Sequence, residues 1–138
     1  MDHQNANEIG ISVKLNANFE SALARVIEAL KVEGFGVLTE IDVKEIMKKK
    51  LDVDFAPYKI LGACNPSLAH RALTLDPQVG LLLPCNVTVR QLEDGTSEVS
   101  LVDPVVMLGV ITHPGLKEVA GEARARFERV AASLKKSQ

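Results

Sequence analysis

Between residues 9 and 15 apolar and polar positions alternate, Ile9, Ile11, Val13 and Leu15 against Gly10, Ser12 and Lys14, which is the period of a half-buried strand. The period then changes. Phe19, Ala22, Leu23, Val26 and Leu30 recur at helical spacing behind Asn18, whose short polar side chain suits an N-cap, and Gly34 offers a left-handed stop. Residues 35 to 41 predict a second strand, and Asp42 with Glu45 three residues on forms a capping box that opens a short helix through Leu51. After a loop, residues 58 to 64 predict a third strand. Asn65-Pro66 starts the next helix: the residue before a proline is pushed toward the extended region, and proline is favoured at the first helical position. That helix stops before Asp76-Pro77.

Residues 79 to 92 read as one long strand interrupted by Pro84, which removes a ladder donor and marks a bulge or an edge. Glu93-Asp94-Gly95 is a hairpin turn, and residues 96 to 102 return antiparallel. Residues 105 to 111 are apolar and fit either a strand or a loop-bound cluster. From Pro114 a closing helix carries Leu116, Val119, Ala123, Phe127, Val130 and Leu134 along one stripe, with Lys135-Lys136 at its negative end. The order β-α-β-α-β-α-β-β-(β)-α predicts an α+β fold: a single domain over residues 9–138, with helices packed on a mixed sheet. The segment between the third and fourth strands is long enough to hold a crossover helix, so those strands are expected to run parallel. Residues 1–8 are polar and aperiodic and predict a flexible tail.

Composition narrows the partners. The chain has the length of one domain, with 138 residues, 46% of them apolar, but only 4% aromatic and no Trp, so its core must be aliphatic. A formal net charge of −2 argues against nucleic acid or an anionic membrane surface as a partner. The Lys48-Lys49-Lys50 run reads as a solvated helix end. Two cysteines, with no basic start and no apolar leader, point to a reducing compartment, and the cytoplasm is the expected location. The longest apolar run, residues 79 to 83, falls far short of the roughly 20 residues that a membrane helix needs.

Both cysteines sit in Cys-Asn dipeptides, Gly62-Ala63-Cys64-Asn65-Pro66 and Leu83-Pro84-Cys85-Asn86-Val87. In parallel strands starting at Tyr58 and Val79 the two thiols would lie at equal depth, about 5 Å apart in neighbouring strands and about 10 Å with one strand between. Cys64 also precedes a helix N-terminus, where a thiolate is favoured, so it is the candidate reactive thiol. The bland alternative is that both are small core hydrophobes, and Cys85 shares an alternating apolar face with Val87 and Val89. His70 would complete a metal set, since thiolates with imidazole suit zinc or copper. Yet it lies roughly 140° from the centre of its helix's apolar arc, facing solvent or another chain, and Cys-x5-His with a distant Cys matches no common zinc spacing. Glu40, on a strand face with Leu38 and Gly36, is either an edge carboxylate or a site acid. Asn65 and Asn86 read as cap and backbone partner, or as lining. Gly34-Phe35-Gly36 lacks the spacing of a phosphate-cradling loop.

Four blocks carry a family resemblance: Gly34-Phe35-Gly36-Val37-Leu38-Thr39-Glu40-Ile41-Asp42-Val43, Tyr58-Lys59-Ile60-Leu61-Gly62-Ala63-Cys64-Asn65-Pro66, Ala69-His70-Arg71-Ala72-Leu73 and Gly80-Leu81-Leu82-Leu83-Pro84-Cys85-Asn86-Val87. Through them, and from about Phe19 to the closing helix, the chain resembles the domain of unknown function 302 family. The resemblance implies a compact α+β domain, often a homodimer, in stand-alone prokaryotic proteins, and no established activity. Cys64, His70 and Cys85 fall inside its blocks. The expected function is a small-molecule or metal-binding module whose pocket is drawn from Cys64, Asn65, His70, Cys85, Asn86 and Glu40, with zinc as the metal of a Cys64, Cys85 and His70 set. One alternative is a thiol-dependent redox or sulfur-transfer enzyme, with Cys64 and Cys85 as its catalytic candidates. The other is a homodimeric assembly protein with inert cysteines.

Overall fold

The computed structural model describes residues 8–136. The tail expected over residues 1–8 lies, but for Glu8, outside the described residues. Along the chain run β1 (Gly10–Leu15), α1 (Phe19–Val32), β2 (Gly36–Asp42), α2 (Val43–Leu51), β3 (Tyr58–Cys64) and α3 (Pro66–Leu75). A 3₁₀ segment (Pro77–Leu82) follows, then β4 (Cys85–Gln91), β5 (Ser97–Val102), α4 (Pro104–Leu108) and α5 (Pro114–Lys136). The strands form one five-stranded sheet in the order β1-β5-β4-β3-β2. Every pairing is antiparallel, so the sheet is not mixed.

Local chemistry explains the helix ends. Asn18 Oδ1 accepts the Ser21 N–H at 2.8 Å at the start of α1. At its other end Gly34, at φ +85°, takes the left-handed position, and the N–H groups of Gly34 and Phe35 reach back to Lys31 and Leu30 carbonyls. Asp42 caps α2 through the Glu45 N–H at 3.0 Å, and Asn65 caps α3 through the Leu68 N–H at 3.2 Å. α4 replaces the ambiguous apolar run: Asp103 accepts the Val105 N–H at 2.9 Å and Pro104 occupies the first helical position.

The long fourth strand does not form. Asp76 Oδ1 accepts the Gln78 N–H at 2.9 Å, and with Pro77 at the first position it winds residues 77–82 into the 3₁₀ segment that buries Val79. β4 begins only at Cys85, after a cis Leu83-Pro84 peptide. Because α3 and the 3₁₀ segment double back, the chain re-enters the sheet at the end where β3 left it. β3 and β4 are therefore antiparallel, with Ala63 opposite Cys85.

One sheet face carries Val13, Leu15, Leu61, Val87, Val99 and Leu101, buried beneath α1 and the C-terminal half of α5, where the rings of Phe35 and Phe127 lie 4.6 Å apart. A second, smaller cluster gathers Leu68 and Ala72 of α3, Val79, Leu108 of α4 and Val119 and Ala123 from the N-terminal half of α5. α5 thus serves two cores with one continuous stripe. The other sheet face is polar at its centre, with the Ser12 and Ser100 hydroxyls 2.8 Å apart and Arg90 paired to Glu98 at 2.8 Å. Among the described residues no helix is long and apolar enough to cross a membrane.

Candidate functional site

The ends of β3 and β4 lie where the two hydrophobic clusters meet. The antiparallel register sets Ala63 opposite Cys85, while Cys64, one residue further, pairs with Gly36 of β2. Strand alternation then gives the two thiols different sheet faces. Both nevertheless line one cleft of about 320 Å³, closed by side chains of α3, α4 and α5 together with Phe35. Both cysteines thus border the same cleft, on an antiparallel pair of strands and not, as expected, at equal depth in parallel ones. Phe35, Ala63 and Cys85 come from the larger cluster, and Leu68, Ala72 and Val119 from the smaller, so the cleft is their seam.

The packing beside the cleft depends on a glycine. A Cβ on Gly62 would stand 2.7 Å from Pro84 Cγ and closer still to Thr39 Oγ1, so only a residue without a side chain lets β2 and the β4 entry close over β3. Asn65 is 9% exposed and joins three elements. Its Oδ1 caps α3, and its Nδ2 donates at 3.4 Å to the Glu33 carbonyl at the end of α1, which also accepts Arg126 Nη1 at 2.9 Å from α5.

Cys64 is half-buried and Cys85 buried, both as free thiols. Burial pushes the Cys85 thiol up to about 11, with the nearby Cys64 charge adding to the effect. Among the described residues the cleft lining contains no Asp, Glu, Lys, Arg or His, and its only side-chain amide and hydroxyl come from Asn65 and Thr39.

The other expected residues lie elsewhere. Asn86, next after Cys85 in β4, takes the alternate face and lines a different depression with Ser12, Tyr58, Thr88 and Ser100. A register shift between Val37 and Thr39 re-phases β2, and Glu40 is exposed, paired to Lys59 Nζ at 2.9 Å. Their hydrogen bond, the largest contribution, holds the Lys59 ammonium above its usual range. His70 is exposed on the outer side of α3 beside Arg71 and Thr74, as its helical angle indicated. Among the described residues no three His, Cys, Asp or Glu side chains gather as a metal site, so Cys64, Cys85 and His70 do not assemble within one chain. Sequence reasoning missed Met107 and Leu108, because the apolar run that holds them carried no readable period.

The family model described as domain of unknown function DUF302 matches residues 11–134. The fold is similar to the crystal structure of an uncharacterized conserved DUF302 protein from Bacillus stearothermophilus, at 35% identity and a TM-score of 0.81, covering 94% of this chain and 98% of that one. Among curated proteins none matches significantly. A match over nearly the whole domain, in sequence and in fold, is what membership requires: the chain belongs to the DUF302 family.

Proposed function

We propose that this domain binds a small, uncharged, largely apolar molecule in the cleft at the ends of β3 and β4, with Cys64, Asn65 and Cys85 among the lining. One observation carries the reading: a cleft of about 320 Å³ at the seam of two cores, lined among the described residues without a charged side chain. Such a lining offers no carboxylate, ammonium, guanidinium or imidazole to offset the desolvation of an organic ion, whereas apolar surface gains about 25 cal/mol per Å² on burial. The size lies near the lower end of small-molecule pockets, which begin at about 300 Å³. The thiol-enzyme reading is less favoured, because burial keeps Cys85 protonated at neutral pH and so makes it a slow resolving thiol.

The test is displacement of a neutral fluorescent probe, N-phenyl-1-naphthylamine, by n-alkanols and by carboxylates of the same length. Alkanols should displace it more effectively with chain length, and carboxylates poorly. Ala69→Phe, at a half-buried lining position, should weaken both probe and alkanol. Equal competition by carboxylates, or no effect of Ala69→Phe, would refute the reading.

A specific surface also favours a homodimer. α2 buries none of its residues, and Leu38, Ile41, Ile46, Leu51 and Phe55 leave apolar surface exposed around the sheet-edge strand β2. Sedimentation should give twice the chain mass, reduced to one chain by Leu38→Glu with Ile41→Lys. A wild-type monomer at tens of micromolar would count against it.

A further inference from the structure

The chain has two cysteines and three methionines, and three of these five sulfur-bearing residues line the one cleft: Cys64 from β3, Cys85 from β4 and Met107 from α4. Hard donors are scarce there. Among the described residues the lining holds no carboxylate and no imidazole, and both polar ends of Asn65 are engaged, with the Leu68 N–H and the Glu33 carbonyl. The Cys64 thiol and Met107 are half-buried, Met107 packing against both core clusters, while Cys85 is buried in the larger one.

We propose that Cys64, Cys85 and Met107 form a binding site for a soft monovalent cation, copper(I), held by two thiolates and a thioether. Thiolate and thioether ligands together select copper(I) over harder ions. Zinc is poorly served, since its structural sites take four ligands, commonly including imidazole, and His70 faces away from the cleft. The binding step balances without electron transfer: one copper(I) displaces two thiol protons to solvent, and copper stays in the same oxidation state. Two thiolates and one copper(I) leave a single negative charge where two bare thiolates would leave two. Because two protons leave as the metal enters, binding tightens as pH rises. The site stands on the sulfur atoms of the cleft and does not require the apolar-ligand reading.

The experiment is anaerobic titration of the full chain with copper(I) buffered by bicinchoninate, with X-ray absorption on the loaded protein. One copper per chain is expected, with sulfur neighbours only. Cys64→Ser and Cys85→Ser should each lose competition with the chelator, and Met107→Leu should bind about tenfold more weakly, the equivalent of about 1.4 kcal/mol. His70→Ala should bind as wild type. A nitrogen or oxygen neighbour in the absorption spectrum, undiminished binding by Cys85→Ser or Met107→Leu, or no competition by wild type would overturn the proposal. Absorption is read on unmutated protein, so a variant that fails to fold does not protect the idea. Probe displacement by alkanols, run on the same copper-free protein, shows independently whether the apolar-ligand reading stands.

Discussion

Alkaline titration of Cys85 offers a worked prediction. In the folded chain its thiol is raised from an ordinary 9.0 to about 11, first by burial and then by the Cys64 charge. An acid whose folded value is raised holds its proton more tightly in the native state. Its stability contribution is therefore complete below pH 9 and is lost as pH climbs toward 11. Two units correspond to about 2.7 kcal/mol in full, of which about 2 kcal/mol should be gone by pH 11. Other groups titrate in this window, so the informative quantity is the difference between wild type and Cys85→Ala. The variant should start about 1 kcal/mol less stable because of the small cavity, yet lose less than wild type between pH 8 and pH 11. Urea unfolding at four pH values measures both slopes. Mass-resolved alkylation at neutral pH supplies a second readout, in which Cys64 should be labelled far sooner than Cys85. Parallel pH slopes, or equal labelling of the two thiols, would refute the environment described for Cys85.

Three further predictions follow from the packing around the cleft. Gly62→Ala should destabilise the fold by about 1 to 3 kcal/mol, since its Cβ meets Pro84 and Thr39, and the added change Thr39→Ala should recover part of the loss in chemical denaturation. Asn65→Ala removes the α3 cap and the tie to the end of α1 and should cost about 1 to 2 kcal/mol by the same assay, whereas Asn65→Asp, which keeps the cap acceptor, should cost less. Leu61→Ala, at a fully buried position in the larger core, should cost about 2 to 5 kcal/mol, while His70→Ala at an exposed position of α3 should fall within about 0.5 kcal/mol of wild type.

What was legible in the sequence was local. Asn18, Asp42 and Asn65 were readable as caps because each needs only the first turn that follows it, and Gly34 was readable as a stop for the same reason. The outward aspect of His70 followed from helical spacing alone. Val79 to Leu83 misled because a short apolar run has no period, and the turn chemistry of Asp76-Pro77 won over strand propensity. The direction of β4 depended on where the chain re-entered the sheet, which segment length alone does not reveal. Once β4 was placed, alternation was enough to separate Asn86 from Cys85. The shift of Glu40 came from a bulge, and the entry of Met107 into the cleft came from α4, each a consequence of pairing or packing with distant elements.

The central proposal is that an uncharged cleft between two cores, with both cysteines at its wall, is a ligand-binding site of this DUF302 domain. Amide chemical-shift mapping during titration with n-octanol addresses it residue by residue. Saturable shifts should concentrate at Cys64, Asn65, Ala72, Cys85 and Met107. Shifts confined to the polar sheet face at Ser12, Thr88 and Ser100, or none up to the solubility limit of the alcohol, would contradict it.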